Sequence, residues 1–330
     1  MARVSPSGRH QSLEEEYIYP YYFSMSFFIM FTLQESMRTL PLFKTQELSN
    51  LAYSLTTLSR HHKIAPEWFA RFLEQSMVLM QDFNGQELSS LAWSVAKIAE
   101  QSDLRPILAA ISDRRFGGPD ESTGLDWMSA LLSSAQLRMH ALDLSPQGMT
   151  CILLACSRLQ HRPRDELLRQ MCHYSERQHL RPGGIGYPSA VPPQSLSNLL
   201  LALAHLDFRP PNEFMAAFEA AAIHSLSMQN IVGRWTAQNL ANVFWALSQL
   251  NWTPSCAFTR LHLETTSAML PSCRPGELLQ VLVSLTRLRL KVDRSWLELV
   301  CIQVDHHDGL SWNTSAWASP AGPLYSGTLV

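Results

Sequence analysis

Apolar residues recur through residues 44–304 in a four-beat pattern, three, four and three residues apart, and the pattern appears six times. Counting back from the last apolar residue of each copy as position 0, positions −10, −7, −3 and 0 are Leu48, Leu51, Leu55, Leu58; Leu88, Leu91, Val95, Ile98; and Met149, Ile152, Cys156, Leu159. The later copies read Leu196, Leu199, Leu203, Leu206; Leu240, Val243, Leu247, Leu250; and Leu278, Val281, Leu285, Leu288. Such spacing gathers the four residues on one helical face and predicts an amphipathic helix in every copy. Position −4 is always Ser or Ala (Ser54, Ser94, Ala155, Ala202, Ala246, Ser284), small enough for a second helix to approach closely. Asn84, Ser145 and Thr236 stand where an N-cap belongs, Asn84 with Glu87 forms the sequence of a capping box, and Pro146, Pro193 and Pro275 occupy the first helical turn.

A second amphipathic stretch is expected after each copy, following a short turn, for example at 66–80, 163–175, 211–226, 254–270 and 293–304, four of them opening at or near Pro66, Pro163, Pro211 and Pro254. The starts of the copies lie 40, 61, 47, 44 and 38 residues apart. Self-similarity at this period is the mark of stacked helix pairs. The expected fold is therefore all-α, a right-handed α-solenoid of about six helix-turn-helix repeats of 38–47 residues over 44–304. The 61-residue interval holds a loop at 112–124 and an extra helix near 127–137. A Pro/Gly loop is expected at 180–193, and the Ser-, Gly- and Pro-rich residues 305–330 read as a disordered tail.

The helix face opposite the apolar beat carries positions −12, −8, −5 and −1. Position −12 is Gln46, Gln86, Gln147, Gln194 and Gln238 in five of the six copies. Position −8 is Asn50, Ser90, Cys151, Asn198, Asn242 and Gln280, and position −5 is Tyr53, Trp93, Leu154, Leu201, Trp245 and Val283. Position −1 is Thr57, Lys97, Arg158, His205, Gln249 and Arg287. An amide, a flat ring and a basic tip repeated along a groove suit an unpaired RNA strand: amides address base edges, rings stack and cations meet phosphate. The plain alternative is a face that is polar because water touches it. The uniform Gln and the large rings argue for a covered face, by a ligand or by an adjacent repeat.

The phrase Leu48-Ser49-Asn50-Leu51-Ala52-Tyr53-Ser54-Leu55, with Asn242-Val243-Phe244-Trp245-Ala246-Leu247-Ser248-Gln249-Leu250, resembles the repeats of organellar RNA-binding helical proteins. Octotricopeptide-repeat proteins, the FAST kinase-like leucine-rich region and helical subunits of the kinetoplastid RNA-editing substrate-binding complex share it. The resemblance implies a non-catalytic protein that binds single-stranded RNA in a mitochondrion or chloroplast, in processing, stability or editing. The residues after 304 are too few for the RAP domain that many members carry. A protein–protein scaffold within an RNA-processing assembly is the second expectation.

Composition refines this picture. Charged residues are 16% of the chain, below the roughly 25% usual for soluble domains, and the net charge is −2, so indiscriminate nucleic-acid binding is not expected. Six scattered cysteines without a Cys-x-x-Cys pair point away from a zinc or disulfide framework. No cofactor, metal or small-molecule substrate is expected. Asp305-His306-His307-Asp308 is similar to a motif of metal-dependent phosphoesterases but lacks the strands that such a site needs, and Gly183-Gly184-Ile185-Gly186 lacks the Lys-Ser/Thr of a phosphate loop. Arg60-His61-His62-Lys63 reads as a solvated basic turn. The aromatic-rich run at 17–33 reads as a capping helix spanning 22–40 and stopped by Pro41, with an anchor, a targeting segment or a gene-model artefact as alternatives.

Overall fold

Every copy of the apolar beat is a helix, and its cap residues act as caps. The computed structural model describes residues 31–60, 62–111, 126–181, 191–228 and 235–307, and among these there are helices and no strands. The beat forms α2 (Thr45–Leu58), α4 (Gly85–Gln101), α7 (Pro146–Arg158), α9 (Pro193–His205), α11 (Ala237–Gln249) and α13 (Pro275–Arg287). Between them lie α1 (31–39), α3 (Pro66–Val78), α5 (Arg105–Ile111), α6 (Trp127–His140), α8 (Asp165–Ser175), α10 (Asn212–Ser227), α12 (Cys256–Met269) and α14 (Arg294–His307). Asn84 Oδ1 accepts from the Glu87 amide at 2.9 Å while the Glu87 carboxylate accepts from the Asn84 amide at 3.2 Å. Ser145 and Thr236 cap α7 and α11 through the Gly148 and Asn239 amides.

Two compact units divide the chain, Met1–Arg138 and Met139–Val330. In the first, α2 packs along α4, and α3 packs along α5. Two buried tryptophans bind this unit together through their indole N–H groups, Trp68 donating to Ser36 of α1 and Trp127 of α6 to Ser76, each at 2.9 Å. The described part of the expected 22–40 helix is helical over 31–39, and Pro41 then sits in a 3-10 turn, Leu40–Leu42, that contacts α3. Residues 17–30 of the apolar run lie outside the described residues.

In the second unit α9 packs between α7 and α11, and α11 in turn packs between α9 and α13. The second helices form their own series: α10 contacts α8 and α12, and α12 contacts α14. Cross-contacts from α7 to α8, α9 to α10, α11 to α12 and α13 to α14 join the two series pair by pair. The apolar beat is the core that this arrangement buries. All its members are buried except Leu51, Leu58 and Leu159, which are half-buried. Position −4 is fully buried from Ser94 to Ser284, where a larger side chain would hold neighbouring helices apart; Ser54 alone is exposed.

The turns share a feature that the sequence does not announce. After α7, α9, α11 and α13 the chain passes through Gln160, Asp207, Asn251 and Arg289, all with φ between 49 and 56°, in the left-handed region. At each, the next amide bonds back to position −3 (His161 to Cys156, Phe208 to Leu203, Trp252 to Leu247, Leu290 to Leu285), and the left-handed residue's own amide bonds to position −2. This is the Schellman cap, usually built on glycine, repeated in four successive pairs without one. A non-glycine residue there costs roughly 1 kcal/mol or more, least for Asn and Asp.

Several boundaries differ from expectation. The second helix of the second pair, α5, is seven residues long and carries Pro106 in its first turn, too short for periodicity to reveal. Helix α8 runs on through a π turn, Glu176–Leu180, because Tyr174 and His179 converge on the entry to α7: the Tyr174 hydroxyl donates to the Leu144 carbonyl at 3.0 Å and His179 Nε2 bonds the same oxygen at 3.0 Å. The extra helix continues to His140, and α14 includes 305–307, so the expected tail begins no earlier than 308. Residues 112–125, 182–190 and 308–330, with the Gly183–Gly186 run and Asp308, lie outside the described residues, as does His61.

Candidate nucleic-acid interface

The stripe at −12, −8, −5 and −1 is assembled by the same packing that buries the core. Position −9, about 100° round the helix from −8, faces the next beat helix: the Ser197 hydroxyl of α9 donates to Asn239 Oδ1 of α11 at 3.3 Å. Neighbouring stripes therefore run alongside one another, and their side chains touch. The Tyr53 ring of α2 lies 5.9 Å from that of Trp93 on α4, and the Lys97 ammonium sits 5.9 Å over the Trp93 ring. The His205 ring of α9 lies 4.8 Å from that of Trp245 on α11.

Exposure along the stripe is uneven, and here the expectation of an outward edge needs correction. Gln46, Asn50, Tyr53 and Thr57 of α2 are all exposed, as are Gln86 and Gln147. Ser90, Gln194, Gln238, His205 and Trp245 are half-buried, and Gln249, Val283 and Arg287 are exposed. The other members do not face water. Trp93 is 8% exposed, Lys97 5%, Arg158 6%, Asn198 6%, Asn242 5% and Gln280 4%, and Cys151, Leu154 and Leu201 are buried with them. A helical wheel treats each helix as if it had one buried side. Helices α9 and α11, each between two other beat helices with a partner beneath, have three, and only a narrow wedge is left. Lys97, Arg158 and Asn242 also have partners within the chain.

Helix α13 shows the opposite case. It packs on α11 along one flank, and Val283, at 37%, and Arg287 remain accessible. In its repeat register, Trp245 and Gln249 of α11 stand where Val283 and Arg287 stand on α13. Half-exposed ring, exposed amide and exposed guanidinium thus come together on one pair of helices.

Burial sets the charge states along the stripe. Desolvation, and then the nearby Arg158 charge, lower the His205 pKa, so its ring is the neutral form near pH 7. Asn198 Oδ1 is a buried acceptor without a hydrogen-bond partner among the described residues. Away from the stripe, His179 and His262 are buried, each bonding a main-chain carbonyl (Leu144, Leu240) through Nε2, and desolvation pushes each pKa down to about 4. Cys151 and Cys156 are pushed up to about 12 by burial, which makes them unreactive packing residues. Among the described residues no group of His, Cys, Asp and Glu has the arrangement of a metal site, and no helix is long and apolar enough to cross a membrane.

Periodicity passed over two further residues. Arg289 and Lys291 follow Arg287 in the run Arg287-Leu288-Arg289-Leu290-Lys291, and all three cations are exposed while Leu288 and Leu290 turn inward. That alternation is visible in the sequence, but it lies beyond the repeated phrase. The chain matches no protein-family model and no curated protein.

Proposed function

We propose that the chain is a non-catalytic helical-repeat protein, a right-handed α-solenoid of six helix pairs, that binds single-stranded RNA along its beat helices. By the resemblance of its repeats to organellar RNA-binding proteins, its work lies in RNA processing, stability or editing in a mitochondrion or chloroplast. The observation that carries this reading is the meeting of half-exposed stripe rings across neighbouring helices, His205 of α9 with Trp245 of α11 at 4.8 Å. Rings placed side by side at the helix period form the kind of platform on which bases stack.

The burial of Lys97 and Arg158 moves the expected contacts away from those cations and toward His205, Trp245, Gln249 and Arg287. Purified protein is expected to retain random-sequence single-stranded RNA at low salt and release it as salt rises. Trp245→Ala should weaken that binding by about 1–3 kcal/mol, the worth of one stacked base. Absence of salt-sensitive RNA retention in the wild type sinks the reading.

A protein–protein scaffold is favoured by one observation: Leu297, Leu299 and Ile302 on α14 are exposed apolar side chains. A pull-down whose composition is unchanged by nuclease would support it over the first.

A further inference from the structure

We propose that the exposed turn leaving α13, with Arg287, Arg289 and Lys291, is the phosphate anchor of the RNA-binding surface, a reading that rests on the function proposed above. About half of the exposed cations among the described residues are neutralised in ion pairs. Lys63 pairs with Asp103, Arg71 with Glu74, Arg162 with Asp165, Arg169 with Glu166, Arg181 with Glu176 and Arg260 with Glu264. Arg287, Arg289 and Lys291 form no ion pair among the described residues, although Asp293 is exposed in the same turn. Lys44, Arg60, Arg164, Arg177, Arg209 and Arg274 also form none, but no two of those stand within two residues of each other. In the chain, Asp293 follows Lys291 by two residues, and Glu298 further on is held by Arg294 at 2.9 Å.

Backbone geometry adds a second argument. Arg289 occupies the left-handed cap at φ 53°, a position served in the equivalent turns of α9 and α11 by Asp207 and Asn251. Asn, Asp or Gly would hold that cap at lower cost, so the cap alone does not call for arginine. What the arginine contributes is an exposed guanidinium between two other exposed cations in the sequence, none of the three in an ion pair among the described residues. A single strand is favoured over an acidic protein because the neighbouring α11 offers Trp245 and Gln249 in the matching register, a ring for a base beside cations for phosphate.

The test is fluorescence anisotropy of a labelled oligouridylate with the full chain and with the variant Arg287→Ala/Arg289→Asn/Lys291→Ala, across a series of salt concentrations. A labelled polyglutamate is the second probe, and Arg164→Ala/Arg209→Ala is the control variant. Three lost phosphate contacts should reduce the salt slope by about 2 and weaken binding roughly 100-fold at 0.1 M salt, from about 0.7 of slope per contact on a single strand. The control should lose far less, and no variant should melt below the wild type. If the triple variant binds the oligouridylate as the wild type does, the anchor is elsewhere and this inference fails while the RNA reading stands. If the wild type binds polyglutamate and not the oligouridylate, both fail, and the turn docks an acidic protein.

Discussion

Arg158 and Arg287 hold the same position in their repeats, one residue before the closing apolar residue, and they meet opposite fates. Arg158 on α7 is 6% exposed and partnered within the chain, whereas Arg287 on α13 is exposed and forms no ion pair among the described residues. The two phrases share the apolar beat, a small residue at −4 and the closing Arg-Leu, although only three of their thirteen residues are identical. The two arginines leave their helices in the same direction and differ in burial. Position in a repeat fixes which way a side chain points; position in the array fixes whether it meets solvent. A stripe inferred from periodicity is therefore a list of directions, and only part of it is surface.

The contrast can be broken most forcefully at the rings. Trp93→Ala should cost about 4 kcal/mol, because a large side chain is removed from a packed site, while Tyr53→Ala, its exposed neighbour, should cost under about 1. Urea unfolding of both variants checks this, and equal losses would mean that Trp93 is not covered. Acid is the next lever. The folded pKa values of His179 and His262 are about 4 against an ordinary 6.5, so the unfolded chain takes up protons first as pH falls. Stability should be intact above pH 6.5 and decline between 6.5 and 4, by about 3 kcal/mol for each histidine at 1.36 kcal/mol per pKa unit. Urea midpoints measured through that window should show the decline, and His262→Gln should make it shallower.

Charge gives a sharper form of the comparison. Arg158→Ala should destabilise by about 3 kcal/mol, as expected when a buried charge is taken from its partners, while Arg287→Ala should stay within about 0.5 kcal/mol. The same Arg158 change should let the His205 pKa rise, readable by NMR titration, since that charge is one of the causes holding it down. The smallest effect is expected at the caps. Gln160→Gly and Arg289→Gly should each raise stability by up to about 1 kcal/mol, Asp207→Gly and Asn251→Gly by less, because glycine enters the left-handed region freely.

Much of the helical architecture was legible beforehand, for identifiable reasons. The beat at −10, −7, −3 and 0, the small residue at −4 and the caps at Asn84, Ser145 and Thr236 each constrain the chain locally, and local constraints can be read from a single sequence. Helix α5 was missed because seven residues are too few to show a period, and the π turn after α8 because it answers to Leu144, more than thirty residues away. The left-handed caps escaped because the usual signal is glycine and none is present. Burial of Trp93, Lys97, Asn198 and Gln280 depends on neighbouring helices, which no wheel contains. Arg289 and Lys291 stood in plain alternation with Leu288 and Leu290, but outside the phrase that drew attention.

The most direct test of an interface open at α11 and α13 and closed at Lys97 and Arg158 is ultraviolet crosslinking of bound single-stranded RNA, followed by mapping of the crosslinked peptides. The account predicts adducts on peptides spanning 245–249 and 283–291, and none at Lys97 or Arg158. Adducts confined to α8, α10 and α12, or concentrated at Lys97 and Arg158, would contradict it.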